Sequence, residues 1–201
     1  MAYVLGFWYA DGNMKHQKSY RVGFSSIDLE HLQLIKKSLG STSPIVRYHL
    51  HGILRKSYNL WVHSKKLFYD LGTLGGVRNK SKVLKFPSIP EKFLKDFIRG
   101  YFDGDGSVHY IKYASTKNGK IYTEIRSNFT SGSREFLEHL RNFLSKKLSL
   151  SRRKISQYGA HKFKLGYGQN DTKKLLNYMY YPSHKISLLR KAIFLKEFSR
   201  A

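Results

Sequence analysis

The sequence predicts a mixed α/β (α+β) fold made of two pseudo-symmetric halves, each with the order helix, two strands, helix, two strands, helix (αββαββα). One observation is a duplication: residues 4–12 (VLGFWYADG) recur as residues 98–106 (IRGYFDGDG). The other is periodicity, because segments that alternate polar and apolar residues lie between helical patterns in both copies. We therefore predict an N-terminal half at 1–84, a linker at 85–90 and a C-terminal half at 91–201.

The similarity continues downstream of the duplicated motif. The further matches are 24–26 (FSS) with 129–131 (FTS), 65–67 (KKL) with 173–175 (KKL), and 79–81 (NKS) with 184–186 (HKI). The offset is 94 at the first motif and 105 at Phe24 and Phe129, so the second copy carries an 11-residue insertion. We place this insertion in the turn at 115–120.

The helices between the strands have clear signals. Residues 28–39 begin with a capping aspartate, place Leu29, Leu32 and Ile35 on one face and end before Gly40, and residues 133–148 repeat this pattern. In the linker, Pro87 and Pro90 favour an extended chain before Glu91 starts the next helix.

Three segments alternate strictly and are predicted to be strands with one face on the core: 45–51, 120–130 and 161–167. In the second of these, the residues predicted to face the core are Ile121, Thr123, Ile125 and Phe129. The opposite face carries basic, aromatic and amide side chains, which are the types that reach phosphates and base edges.

The charge is the outlying feature of the composition. Lys and Arg total 37 against 13 Asp and Glu, a formal net charge of +24. Such a chain repels itself unless a polyanion binds, so nucleic acid is the favoured partner over a membrane surface or a ribosomal role. No acid lies between Glu30 and Asp70 or between Glu138 and Asp171, and these stretches include predicted strands.

Several classes of protein are excluded. There is no cysteine, which rules out a disulfide framework, a zinc finger and a thiol nucleophile. No apolar run approaches the roughly 20 residues that span a bilayer, and the N-terminus has no signal-peptide layout. We expect a protein that is not secreted and has no membrane partner, in a compartment that the sequence does not specify.

Each duplicated motif carries a stripe of small residues four positions apart. These residues are Gly6 and Ala10 in the first copy and Gly100 and Gly104 in the second. Two such helices can approach backbone to backbone. Each motif then ends in Asp-Gly, and we expect the glycine to adopt the left-handed conformation that often ends a helix.

Pairing the helices would bring Asp11 and Asp105 together at the carboxyl ends, where the helix dipole and the like charge both disfavour an anion. A divalent cation would relieve this, and oxygen ligands favour Mg²⁺ or a similar hard ion. Such an ion can activate water for phosphodiester hydrolysis. A single Asp-Gly is more often an ordinary turn, so the inference depends on the duplication.

The two motifs and the duplicated order of elements resemble the LAGLIDADG homing endonucleases of the monomeric, two-motif type. The resemblance covers essentially the whole chain. It implies two saddle-shaped sheets whose strands lie in the major groove of a long double-stranded DNA site. It also implies metal-dependent cleavage of both strands across the minor groove, leaving 3′ overhangs.

The resemblance also assigns the site residues. It implies a metal site at Asp11 and Asp105 together with Ala10 and Gly104, occupied by Mg²⁺, with Mn²⁺ or Ca²⁺ able to take the same place. The earlier acidic position of the motif holds Asp103 in the second copy but Tyr9 in the first. Members of the family often hold a basic residue near each scissile phosphate, and we assign this role to Lys80 and Lys185.

The candidate DNA contacts are polar or basic residues in or beside the predicted strands. They are Lys15, Lys18, Arg21, Ser25, Arg47, His49, His51, Lys112, Lys120, Tyr122, Glu124, Arg126, Asn128, Thr130, Arg152, Lys154, Lys162 and Lys164. The alternative function is a non-cleaving protein of the same fold, either an RNA maturase that binds its host intron or a DNA-binding regulator.

Overall fold

Each half of the chain builds its own four-stranded antiparallel sheet, and two central helices hold the halves together. The computed structural model describes residues 1–16, 19–50, 53–76, 80–116 and 119–198, and at 48–50, 54, 81 and 196–198 it describes the backbone. In these ranges no helix is both long enough and apolar enough to cross a bilayer.

The first half has the predicted order of elements. It consists of α1 (Ala2–Asp11), β1 (Gly12–His16), β2 (Tyr20–Ser26), α2 (Leu29–Ser38), β3 (Ile45–Leu50), β4 (Ile53–His63) and α3 (Lys65–Thr73). The strands lie in the order β1-β2-β4-β3. A single 3₁₀ turn comes next, at Lys80–Lys82.

The second half repeats this order and adds a helix. It consists of α4 (Glu91–Asp105), β5 (Gly106–Ala114), β6 (Ile121–Ser131), α5 (Arg134–Leu148), β7 (Ile155–Gly159), β8 (Lys162–Tyr167), α6 (Gln169–Met179) and α7 (Leu189–Phe198). Its strand order, β5-β6-β8-β7, matches that of the first sheet. The predicted fold class is confirmed, and the second half ends in two helices, α6 and α7, where the pattern predicted one.

The insertion in the second half lies in the first hairpin of that half, as predicted. Gly12 pairs with Phe24 in one sheet and Gly106 with Phe129 in the other, so the hairpins share a base. The β5–β6 hairpin extends further from this base than the β1–β2 hairpin. Its end projects beyond the core, which is why Ile121 is 74% exposed. The prediction that Ile121 and Thr123 face the core is therefore wrong.

The two central helices are buried on every side. Residues 3–9 of α1 and 97–103 of α4 are all buried, and the helices pack against each other along much of their length. A methyl group added at Gly6 would lie 1.9 Å from the Phe97 carbonyl oxygen, and one at Gly100 would lie 2.0 Å from the Tyr3 carbonyl oxygen. Only glycine at these two positions allows the backbones to come this close.

We predict that Gly100→Ala lowers the free energy of unfolding by about 3 kcal/mol or more, since the added methyl group must push the two backbones apart. The matched control is Gly72→Ala in α3, where the side of the glycine is open and no atom lies within 4 Å. That change should stabilise the protein by about 0.5–1 kcal/mol. Denaturant unfolding of both variants measures the difference, and equal effects would contradict the close packing of α1 against α4.

Candidate active site

The carboxyl ends of α1 and α4 meet at Asp11 and Asp105. A methyl group built on Gly104 would lie 2.3 Å from the Cβ atom of Ala10 and 3.1 Å from a carboxylate oxygen of Asp11. The Asp11 side chain therefore lies directly against the end of the partner helix. Each aspartate is followed at once by the first strand of its own sheet, so each sheet begins beside the carboxylate pair.

The glycines that come after the aspartates are required for a different reason from the one expected. Gly12 and Gly106 are not left-handed but extended, with φ of −90° and −92°. A side chain at Gly12 would lie 2.1 Å from the Trp8 ring, and one at Gly106 would lie 2.2 Å from the Phe102 ring. Glycine is needed because a large aromatic ring folds over the junction between helix and strand in both halves.

The two carboxylates lie in an unfavourable electrostatic environment. Burial raises the pKa of Asp105 to about 6, and the negative charge of Asp11 contributes to the rise. Burial also raises the pKa of Asp11, although one side of its carboxylate is open to solvent. The positive charges of Lys80 and Lys191 act in the opposite direction on both groups. Both shifts identify charges that the fold leaves poorly compensated.

Two buried lysines flank this pair in equivalent positions. The Lys80 ammonium donates to the Gly12 carbonyl and lies 4.7 Å from the centre of the Trp8 ring. The Lys191 ammonium donates to the Gly106 carbonyl at 2.5 Å and lies 5.4 Å from the Phe102 ring. Gly12 and Trp8 match Gly106 and Phe102 in the duplicated motif, so Lys191 is the counterpart of Lys80.

Lys191 makes further contacts at the end of α4. Its ammonium also donates to the carbonyl oxygens of Phe102 and Asp103, at 2.6 and 2.7 Å. Burial lowers the pKa of Lys80 and of Lys191 to about 8, while the nearby aspartates partly restore each value. Near pH 8, each lysine is therefore close to the point at which it can exchange a proton.

The structure does not bring Lys185 to the site, and its assignment there is a correction. Lys185 is exposed and lines a cavity of about 970 Å³ together with Met1 and Ala2, at the start of α1 rather than at its end. The duplicated pattern failed here because the spacing between the halves changes again after α6. The sequence did contain a signal for Lys191. Leu188, Ala192 and Leu195 have the spacing of the apolar face of a helix, and Lys191 lies on that same face, where a lysine is expected to be buried.

The donor atoms at the helix ends fit a hard divalent cation. Two carboxylates are available, and in the described ranges no ion pair of a basic side chain satisfies either of them. Both lysines are directed at backbone carbonyls instead. No described group of three or more His, Asp or Glu residues forms a larger candidate site. Few protein ligands, oxygen donors and solvent access are typical of a Mg²⁺ site that also takes waters and phosphate oxygens.

The two sheets present what we call the outer faces, which are the faces that carry Lys15 in β1 and Arg126 in β6. Strand pairing sorts the residues, because directly paired and alternate residues share a face. In the first sheet the outer face carries Asn13, Lys15, Arg21, Ser25, Asn59, Trp61 and His63. In the second it carries Ser107, His109, Tyr122, Glu124, Arg126, Asn128, Thr130, Lys162 and Lys164.

Three predicted DNA contacts do not fit this surface. Arg47 pairs with Tyr58 and Lys112 with Thr123, which places both on the faces opposite to the outer ones. Asn128 does lie on the outer face, but it is 6% exposed and donates to the Ser107 hydroxyl at 2.7 Å. Alternation defines two faces for each strand, but pairing with the neighbouring strands decides which of the two lies on the core side, and it places Arg47 and Lys112 there.

The other candidates lie at different distances from the carboxylate pair. Thr130 lies next to the site and donates to the Asp105 carbonyl at 2.8 Å, while Ser25 donates to Asn59 at 2.7 Å. Lys120 is exposed beside the β5–β6 turn. Arg152 and Lys154 are exposed in the connection between α5 and β7. Lys18 and His51, and the side chain of His49, lie outside the described part of the structure.

Sequence reasoning missed Trp61. Its ring lies against Gly23, where a side chain would approach it to 2.7 Å, and it is flanked by the Lys15 ammonium at 5.1 Å and the Arg21 guanidinium at 5.8 Å. At the equivalent place in the second sheet, Asn128 pairs with Gly166. The two outer faces thus differ in chemistry at their centres.

Comparison with known proteins identifies a family model and several curated relatives similar to parts of this chain. Residues 92–163 match the family described as LAGLIDADG-like domain. The chain is 27% identical over 119 residues to the uncharacterized protein MJ0398 of Methanocaldococcus jannaschii, covering 57% of this chain and 41% of that protein. It is 28% identical over 159 residues to the replication factor C small subunit of the same organism, covering 71% of this chain and 9% of that protein. The chain therefore spans less than half the length of these curated relatives.

Similar solved structures cover almost the entire chain. The LAGLIDADG homing endonuclease I-SmaMI bound to cleaved DNA aligns with a TM-score of 0.68 at 13% identity, covering 98% of this chain and 87% of that one. Mesophilic variants of the homing endonuclease I-DmoI align with a TM-score of 0.62 at 19% identity, covering 96% and 95%. A further I-DmoI variant, in complex with nicked target DNA in the presence of manganese, aligns with a TM-score of 0.60 at 18% identity, covering 92% and 96%.

The family match, the two sheets of identical strand order and the two central helices agree with one another. Residues 92–163 match the LAGLIDADG-like domain, and nearly the whole chain has the fold of the LAGLIDADG homing endonucleases of known structure.

Proposed function

We propose that this protein is a site-specific DNA endonuclease that hydrolyses both strands of a long duplex target and leaves 3′ overhangs. The observation that carries the proposal is the pair of poorly compensated carboxylates at the ends of α1 and α4, from which two basic outer faces extend. Relatives of the same fold are bound to DNA, which supports duplex DNA as the ligand.

In this proposal Asp11 and Asp105 would hold the metal together with Ala10 and Gly104. Bound Mg²⁺ would supply an activated water and charge compensation at the phosphate. Lys80 and Lys191 hold positive charge beside the carboxylates, where a scissile phosphate would gain negative charge. Each lysine is already held by backbone carbonyls, so little reorganisation is required when DNA binds.

In this proposal each outer face binds the part of the duplex on its own side of the carboxylate pair. In the described ranges Glu124 is the one acidic residue of these faces, and its charge is paired with Arg126 at 3.1 Å. Exposed basic side chains on both faces contact phosphates and base edges. Trp61 on the first outer face corresponds to Gly166 on the second, and this difference fits a target whose two halves have different sequences.

We predict that Asp11→Asn and Asp105→Asn each abolish double-strand cleavage while DNA binding is retained, because each removes one metal-binding charge. The target is found by selecting cleaved sites from a randomised duplex library with Mg²⁺ present. Cleavage gels and electrophoretic mobility shifts then compare the variants with the parent. Full cleavage by either variant contradicts this mechanism, whereas tight binding without any cleavage by the parent would favour a non-cleaving protein.

The raised pKa of Asp105 predicts that removing its charge stabilises the folded protein. Its pKa is about 6 in the folded state and close to 3.8 when unfolded, so the ionised group destabilises the fold above about pH 6 and has no effect below about pH 4. Asp105→Asn should therefore raise the free energy of unfolding by about 3 kcal/mol at pH 8, a gain that disappears near pH 4. Denaturant unfolding across this pH range measures it.

Two controls accompany that measurement. Asp70→Asn, at an exposed residue paired with Lys66, should change stability little at any pH. Added Mg²⁺ should raise the melting temperature of the parent at pH 8 but not that of Asp105→Asn, because only the native parent has the complete site. An Asn variant that is less stable than the parent at pH 8 would contradict the assigned electrostatics.

The outer faces predict a pair of contrasting lysine variants. Lys164→Ala, on the outer face beside Thr130, should weaken DNA binding about fivefold and reduce the salt dependence of log K by about 0.9 for one lost phosphate contact. Lys112→Ala removes the same charge from the opposite face and should change the affinity by less than about twofold. Equal losses would mean that total charge, rather than this surface, binds the DNA.

A further inference from the structure

We infer that the residue two positions before each motif aspartate, Tyr9 in the first copy and Asp103 in the second, is a positioning residue that tethers the chain segment carrying the buried lysine of its own half. The two residues are equivalent in the duplication but differ completely in chemistry. The inference concerns Lys80 and Lys191, and its consequence for cleavage rests on the proposed function.

In the first half the tether is a phenol. The Tyr9 hydroxyl donates to the carbonyl of Leu74, six residues before Lys80. The contact is close on two sides, because a side chain at Gly75 would lie 3.1 Å from the Tyr9 oxygen and one at Gly76 would lie 3.0 Å from the Trp8 ring. Leu74, Gly75 and Gly76 are thus held against two consecutive side chains of α1.

In the second half the tether is a carboxylate. Asp103 is 1% exposed and accepts a hydrogen bond from the Leu188 amide at 2.7 Å, three residues before Lys191. The hydroxyls of Tyr3 and Tyr180 donate to the same carboxylate at 2.6 and 2.5 Å. Three donors hold the carboxylate in place, and it in turn fixes the start of α7.

The two arrangements use opposite hydrogen-bond polarity for the same purpose. In one half the motif side chain donates to a carbonyl of the lysine-bearing segment, and in the other it accepts from an amide of that segment. Both lysines then end at equivalent places, on the Gly12 and Gly106 carbonyls. The substitution of tyrosine for aspartate at the first motif therefore preserves a positioning role rather than marking a degenerate copy.

The test measures each lysine separately in the full-length protein. Limiting acetic anhydride, with peptide mass spectrometry as the readout, gives the acetylation rates of Lys80 and Lys191 without metal or DNA. Tyr9→Phe should raise the rate of Lys80 about tenfold, the factor that corresponds to one lost buried hydrogen bond, and leave Lys191 unchanged. Asp103→Asn should raise the acetylation rate of Lys191 and leave that of Lys80 unchanged.

Tyr3→Phe is the matched control for the first half, since Tyr3 is also a buried tyrosine of α1 but its hydroxyl bonds to His31 and Asp103. It should leave the acetylation of Lys80 at the parent value. If Tyr9→Phe or Asp103→Asn raises both lysine rates equally, or neither, or if Tyr3→Phe exposes Lys80 as Tyr9→Phe does, the tether is overturned.

A second readout connects the tether to cleavage. The cleavage rate of each DNA strand is first measured on an end-labelled duplex with Lys80→Met and with Lys191→Met. For each variant this shows which strand is cut more slowly than by the parent. Tyr9→Phe should slow the same strand as Lys80→Met, and Asp103→Asn the same strand as Lys191→Met. Equal slowing of both strands would indicate a merely structural role and overturn the inference. A parent that cuts no duplex refutes the proposed function, while the acetylation rates still decide the tether.

Discussion

The rest of the structure depends on the close approach of two helix backbones at Gly6 and Gly100. Because no side chain separates α1 from α4 there, the ends of the two helices are brought together. That contact places Asp11 against Gly104 and sets the distance between the sheets that begin at Gly12 and Gly106. Since interiors are packed as densely as crystals, a change at this contact is transmitted to both sheets.

The site is built from groups that oppose folding. Two like charges lie at the negative ends of two helices, and two lysines are buried well enough to lower their pKa values to about 8. The fold tolerates this because the surrounding core is large and aromatic, with Phe97, Phe102 and Phe136 fully buried. Unfavourable electrostatics concentrated at one place in an otherwise consistent fold are typical of a functional site.

Duplication and periodicity in the sequence were sufficient to predict the features that local patterns determine. The repeated order of elements, the small-residue stripes and the position of the insertion are all encoded by such patterns, each present twice. Lys191 could not be placed in this way, because the spacing after α6 differs between the halves and α7 has no counterpart in the described first half. Alignment by residue type selected Lys185 instead, which lies at the other end of the central helices.

The exposure of the strand residues was predicted correctly only where the hydrophobic core lies beneath the strand. Lys162 and Lys164 alternate with Phe163 and Leu165 over the core, as expected, whereas Ile121 lies past its edge. Similarly, the extended conformation of Gly12 depends on where the Trp8 ring folds, a contact that dipeptide preferences do not report. Tertiary packing, rather than local propensity, decided each of these cases.

The origin of Lys191 in α7 has a consequence for the growing polypeptide. The chain emerges from its N-terminus, so both aspartates and Lys80 exist before residue 191 has been synthesised. At roughly 5–20 residues per second, the 86 residues from Asp105 to Lys191 delay completion of the second half of the site by roughly 4–17 s. A nascent chain therefore contains the residues of one lysine–carboxylate arrangement before it contains those of the other, although the folded protein places the two in nearly equivalent positions.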